Sequence, residues 1–254
     1  MSTNPNWKQA YDDDGFVVIR NFLAQDELRS LTSELERYIH EVVPQLPDAD
    51  AFYEDRTQPK TLKQLSRMEQ DAFFRSYLAH PKWYETAELL LGESADAHGA
   101  EWFNKPPNTK HETPPHQDNF YFCLAPPQVL TMWLALDDVD AENGCLRYVR
   151  GSHKSGIRQH NRTKTLGFSQ GIFDYGDADR HAEVAVSARP GDLLIHHGNT
   201  IHRADANSST TRHRRSFAMV FQGISARRDD LAYERYLNSA KAQHQEFGLQ
   251  ATAT

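Results

Sequence analysis

From about residue 95 onward the chain is a series of short apolar runs separated by Pro, Gly, Asn and Asp. The runs fall near 98–104, 116–123, 129–136, 145–149, 183–188, 192–197 and 214–224. Runs of this length with turn chemistry between them predict the strands of a sandwich or barrel. The ENG at 142–144 and the RPGD at 189–192 are the strongest turn signals.

The first part of the chain has a different texture. GFVVI at 15–19 predicts a strand. Leu28, Leu31, Leu35, Ile39 and Val42 then recur at helical spacing, with Asp26 placed to cap the start and Pro44 and Pro47 to end it. Residues 44–61 read as loop, and 69–91 as two helices broken at Pro81 and stopped at Gly92. The polar stretch 151–181 reads as a long loop, and the tail from Asp229 as a weak helix anchored by Leu231, Tyr233 and Tyr236. No internal repeat is visible. The expectation is one domain: a helical part over about 1–94, a β core over about 95–225 and a tail over 226–254.

Composition narrows the function classes. With 28 basic and 35 acidic residues the net charge is −7, which argues against a nucleic-acid partner. No stretch approaches the roughly 18 apolar residues of a membrane helix, and the N-terminal residues lack a signal-like pattern. Cys123 and Cys145 form no CxxC, so a reducing, cytoplasmic setting is expected. Nothing bears on oligomeric state. Histidine stands out: 13 in 254 residues is about twice ordinary usage, and histidine is the commonest metal ligand.

Three His-x-acid triplets occur, at His116/Asp118, His181/Glu183 and His244/Glu246; about two are expected by chance. Context favours the first. His244 has no histidine after it, and His181 lies too close to His202 to cross a sheet. In a strand, His116 and Asp118 would share a face, and His202, several strands on, could complete a two-histidine, one-carboxylate set that leaves three metal positions open. Ordinary polar residues are the alternative. His197 is either a further ligand or a hydrogen-bonded core histidine.

On the last strand Arg214, Ser216, Ala218 and Val220 share one face, and Arg215, Phe217, Met219 and Phe221 share the other. The first face is roomy, and its guanidinium suits bidentate capture of a carboxylate; a surface arginine is the alternative. Thr131 and Trp133 face opposite to Met132, Leu134 and Leu136, where Trp133 either walls a cavity or is core. A zinc hydrolase with the same ligands remains open, although no HExxH is present, as does a metal-stabilised jelly-roll binding module. A carboxylate clamp behind the metal would be of no use to the latter.

The runs NKPPNTKHETPPHQDNFYF, MWLALDDVDAENGCLRYVRGSH, PGDLLIHHGNTIHRADANSS and RRSFAMVF together resemble the phytanoyl-CoA dioxygenase family over roughly residues 98–224. The resemblance implies a mainly β fold with flanking α-helices, its core a double-stranded β-helix of the jelly-roll, cupin-like type. It implies a dioxygenase using Fe(II), 2-oxoglutarate and O2 to hydroxylate an unactivated C–H bond, releasing succinate and CO2. His116, Asp118 and His202 would hold iron. Arg214 would bind the distal carboxylate of 2-oxoglutarate, with Arg215 as the fallback because the loop after His202 is one residue longer than usual. Gln117, Trp133, Lys63 and, on Trp133's face, Thr131 would line the cosubstrate pocket. Asp118 fills the position that family halogenases give to a small residue, so hydroxylation is implied. Arg150 departs from the proline usual at its position. Asn119, Tyr121, Arg150, His153, Arg158, His160 and Arg162 are candidate substrate residues, several of them cationic. They point to a small, anionic substrate (a carboxylate, phosphonate or phosphate ester) or are simply solvated loop charges; an acyl-CoA is implied by the family name alone.

Overall fold

A computed structural model describes residues 7–165 and 168–246. The N-terminal part forms α1 (Trp7–Asp14), β1 (Phe16–Ile19), α2 (Gln25–Arg37), β2 (Ala51–Tyr53), β3 (Leu62–Leu65), α3 (Ala72–Leu78) and α4 (Pro81–Leu91). It is therefore not purely helical. β1 adds to one edge of the main sheet, and β3 with β2 to the other. Asp26 does not cap α2. Ala24 takes the cap position and donates its backbone N–H to the Glu27 side chain. Asp71 caps α3, while Pro81 opens α4 and left-handed Gly92 closes it.

The β core begins with β4 (Ala95–Lys105), β5 (Thr113–His116), a helical turn α5 (Asn119–Phe122), β6 (Leu124–Ala125), β7 (Val129–Ala135) and β8 (Leu146–Val149). It continues through β9 (His160–Thr165), β10 (Phe168–Ile172), α6 (Asp177–His181), β11 (Glu183–Val186), β12 (Leu193–His197), β13 (His202–Ala204) and β14 (Arg214–Gly223). β15 (Arg227–Arg228) and α7 (Asp230–Glu246) end the described chain. Two expectations change here. The run at 116–123 leaves strand geometry at His116 and turns helical, and 151–181 holds the hairpin of β9 and β10 plus α6 rather than loop alone.

A seven-stranded antiparallel sheet, β1-β12-β7-β14-β4-β3-β2, faces a four-stranded sheet, β11-β8-β13-β5. This is the double-stranded β-helix arrangement. Alternation along the strands sorts the side chains. Leu130, Met132, Leu134, Ile195, Phe217, Met219 and Phe221 face outward into one core with Leu31, Leu35, Phe74, Trp83 and Leu90 of the helices. Burying each such side chain contributes about 1.5–3 kcal/mol, which fixes the register of the strands. The opposite faces meet in a second core around Phe16, Trp133, Leu146, Tyr148, Leu194, Ala204 and Ala218. The small residues of β14's inner face leave space there. No described helix is long and apolar enough to cross a membrane.

Candidate active site

The four-stranded sheet places two imidazoles side by side. His116 on β5 and His202 on β13 are register partners, with ring centroids 4.2 Å apart. Each ring is turned by its own backbone. His116 Nδ1 lies 2.8 Å from Pro114 O and His202 Nδ1 lies 3.0 Å from Thr200 O. A carbonyl only accepts, so both rings carry their proton on Nδ1 and aim Nε2 inward. Asp118 arrives from the helical turn rather than from the strand, and its Oδ1 stands 3.4 Å from His116 Nε2 and 3.5 Å from His202 Nε2. One ligand atom from each residue falls within 4.8 Å of the others. Gly198 lets the turn dock. It accepts the Asn119 N–H, and a Cβ there would lie 2.5 Å from the Val129 side chain.

Asp118 Oδ2 is held by the large sheet. Thr131 Oγ1 donates to it over 2.5 Å and His196 Nε2 over 3.0 Å, and Thr131 and His196 are themselves register partners. Tyr148 donates its hydroxyl to His196 Nδ1 over 3.0 Å, from a position paired with His202 on the small sheet. Burial alone would raise the Asp118 carboxyl, but His202, His116 and His196 hold it well below the usual carboxylate range. Burial, reinforced by His116 and His196, holds His202 well below the usual imidazole range. An ionised Asp118 and a His202 held toward its neutral form are protonation states that favour a divalent metal, and two nitrogens with one oxygen suit iron(II).

The three residues open onto a cavity of about 940 Å³. At one end lies Arg214, 4% exposed, its guanidinium 5.5 Å from the Trp133 ring centroid and its Nε without a hydrogen-bond partner. Among the described residues no acid pairs with it, and burial brings it down to about 10. Ser216 Oγ, next on the same face, also lacks a partner. Lys105, register partner of Arg214, and Lys63 line the same cavity. Burial lowers both ammonium groups, and the Arg214 charge adds to the effect at Lys105. Arg215 faces the other way and grips Asp137 through Nε and Nη2 at 3.0 and 2.7 Å. Of the two, Arg214 faces the cavity.

Of the remaining sequence candidates, Thr131, Trp133 and Tyr121 line the cavity. Tyr121 donates to Gln170 O over 2.6 Å and sets its ring edge-on to His116. Gln117 does not line it. Its Nε2 donates to Gly156 O and Asn199 O, and its Oε1 accepts the Arg158 N–H. Asn119 spends its side chain on the backbone of Leu124. Arg150 pairs with Asp14, His153 meets Asp12 O, Arg158 binds Asp174 and Asp179, and Arg162 binds Glu246. Buried His160 accepts the Gln117 N–H, and burial takes its imidazole down to about 4. None of these five lines the cavity, so the loop cations no longer support an anionic substrate. His197 points away from the ligand group and accepts the Asn199 N–H. The site also contains residues that the sequence does not mark as functional: His196, Tyr148, Lys105, Glu101 and, on α7, the helix anchors Tyr233 and Tyr236.

A profile of the phytanoyl-CoA dioxygenase (PhyH) family matches residues 11–216. The chain is 26% identical over 216 residues to the peroxisomal phytanoyl-CoA dioxygenase of Mus musculus, covering 80% of this chain and 63% of that protein. It thus spans under two thirds of that relative's length. Among solved structures, apo EctD from S. alaskensis superposes with a TM-score of 0.71 at 20% identity, covering 89% of this chain and 78% of that one. The epimerase SnoN, in complex with Fe3+, alpha ketoglutarate and nogalamycin RO, gives 0.68 at 24% identity, covering 87% and 84%. These likenesses establish the double-stranded β-helix fold.

Proposed function

The chain belongs to the phytanoyl-CoA dioxygenase family, and on that premise we propose that it is a non-haem iron(II)- and 2-oxoglutarate-dependent oxygenase. It hydroxylates an unactivated C–H bond of a small metabolite while 2-oxoglutarate and O2 become succinate and CO2. His116, Asp118 and His202 would hold the iron, which when bound supplies the oxidising chemistry.

The rest is the work of this chain's side chains. Arg214 receives the distal carboxylate of 2-oxoglutarate. An unpaired, buried guanidinium is costly by itself, and a bidentate anion supplies the missing acceptor. Lys105 and Lys63 add positive potential at the same end. Trp133 flanks the guanidinium, and Thr131 fixes the carboxylate that completes the ligand set. Tyr121, Tyr233 and Tyr236 line the same cavity and help to exclude water from the reacting centre. With each Nδ1 proton given to a backbone carbonyl, the two ligand imidazoles orient and do not shuttle protons. The whole chain serves as one catalytic domain, and the unpaired buried Cys123 and Cys145 suit a cytoplasmic location.

One observation carries the reading: the His116, Asp118 and His202 donor atoms converge on a cavity that also holds an arginine without an acid. The test is spectroscopic. Anaerobic protein with iron(II) and 2-oxoglutarate develops a weak visible charge-transfer band, which Asp118→Ala and His202→Ala abolish. A wild-type protein that shows no band overturns the proposal.

A further inference from the structure

β4 carries charges of opposite sign into the cavity. Lys105 sits beside Arg214, whereas Glu101, four residues earlier and about 13 Å along the strand, sits beside Ala218, with Trp133 next in the row. Both line the cavity. Glu101 is a prepared acceptor: Ser66 Oγ donates to Oε1 over 3.0 Å, and the Gln64 side chain also bonds the carboxyl.

What it lacks is a cation. Acids with buried side chains elsewhere in this fold have one: Asp50 pairs with Arg67, Asp192 with Arg20 and Glu183 with Arg203. Among the described residues no basic side chain forms an ion pair with Glu101. The charges nearest to it electrostatically are Asp118 and Glu69, both negative. Burial, with these two adding, pushes its carboxyl up to about 7 despite Ser66. The arginines that line this side are engaged elsewhere: Arg67 on Asp50, Arg228 on Asp230, and Arg227 on Ile224 O and Ala226 O. Tyr236 feels the Glu101 charge and packs edge-on against Tyr121 at 5.5 Å, so aromatic rings share the cavity with the carboxyl. A desolvated acid among aromatic rings is the environment that stabilises an organic ammonium.

We propose that Glu101 is the specificity-determining residue of this cavity, and that the molecule oxidised is a small organic amine whose ammonium group pairs with the Glu101 carboxylate. The inference rests on the oxygenase reading above and adds the substrate class. Cosubstrate and substrate are then sorted by charge, the dianion at Arg214 and Lys105 and the cation at Glu101.

The test uses two matched probe sets, 2-phenylethylamine, 2-phenylethanol and 3-phenylpropionate, and hexylamine, hexanol and hexanoate. Each is titrated into anaerobic protein loaded with iron(II) and 2-oxoglutarate at pH 8, with binding read by calorimetry and ligand-observed NMR. In at least one set the amine binds tenfold or more tighter than its alcohol and carboxylate counterparts, and Glu101→Gln erases that preference. Ser66→Ala, which keeps the carboxyl but removes a donor, weakens it partly. Amines that bind no better than alcohols in both sets, or a preference that survives Glu101→Gln, overturn the proposal. The charge-transfer band is recorded in the same samples. Its absence counts against the oxygenase assignment, whereas its presence without amine selectivity counts against Glu101 alone.

Discussion

His196 donates its Nε2–H to Asp118 Oδ2 over 3.0 Å, and this bond decides which carboxylate oxygen faces His116 and His202. Replacing His196 by Leu frees the carboxylate to rotate. Partners of this kind commonly contribute 10–100-fold to metal affinity. Anaerobic iron(II) titration of His196→Leu is expected to show a loss in that range with the fold intact, and a smaller loss for Tyr148→Phe, which removes only the donor to Nδ1. Unchanged iron affinity in His196→Leu would show that Thr131 alone holds the carboxylate.

Arg214 and Arg215 predict opposite phenotypes. Arg214→Met removes a buried cation that has no acid, so the metal-free protein keeps its stability or gains about 1 kcal/mol, while KM for 2-oxoglutarate rises about 100-fold through loss of a bidentate contact. Arg215→Ala breaks the pair with Asp137 and costs about 1 kcal/mol of stability, leaving KM for 2-oxoglutarate within about twofold. Denaturant melts and succinate assays on both variants check this.

Gln117 predicts a structural phenotype. Its amide makes three hydrogen bonds that tie β5 to the backbone at Gly156, Arg158 and Asn199. Gln117→Ala should cost about 1–3 kcal/mol and raise the KM for 2-oxoglutarate far less than Arg214→Met does. A selective KM defect at unchanged stability would restore Gln117 to the cosubstrate pocket.

Acid lability follows from two histidines. Burial takes His160 and His197 from the ordinary 6.5 down to about 4. Between those values the unfolded chain binds more protons than the folded one, so stability rises with pH. The contribution is complete above about pH 6.5 and is lost as pH falls toward 4. His160→Gln should lower stability at pH 7, where its hydrogen bonds are lost, yet flatten the decline between pH 6.5 and 4.5. Urea melts at pH 7, 5.5 and 4.5 measure the slope.

Glu101 works in the opposite sense. Its carboxyl rises from the ordinary 4.5 to about 7, so the folded protein binds the extra proton in that window and loses stability as pH rises through it. The full penalty is present above pH 7. With Asp118, Glu69, Ser66 and Gln64 unchanged around it, metal-free Glu101→Gln is expected to exceed wild type by about 1–3 kcal/mol at pH 8, with the gap closing near pH 4.5.

Much of the framework was legible in the sequence, because burial on one face imposes alternation. The split of β14 into Arg214, Ser216, Ala218 and Val220 inward and Phe217, Met219 and Phe221 outward is the one the structure shows. The same parity held the signal for His196. In DLLIHHG, Leu193 and Ile195 face the helices, which sends His196 inward and His197 out. The alternation by itself assigns the inward position to His196 rather than to His197. The turn at Asp118 was not legible, since NFYF is apolar and reads as strand. Its helical conformation comes from one tertiary contact, Gly198 O on the Asn119 N–H, and one local side-chain bond, Asn119 on Leu124. Arg150, Arg158 and Arg162 read as available for substrate because their acids, Asp14, Asp174 with Asp179, and Glu246, lie far away or unmarked in the chain, and His153 because its partner is a backbone carbonyl, that of Asp12.

The donor set straddles the sandwich. Both imidazoles ride on the four-stranded leaf, whereas the far oxygen of Asp118 is moored by Thr131 and His196 to the seven-stranded leaf. Iron affinity is therefore a gauge of the gap between the leaves. A wedge driven into the inner core, such as Ala204→Leu two residues beyond His202, would be read out as loosened iron before it is seen as unfolding.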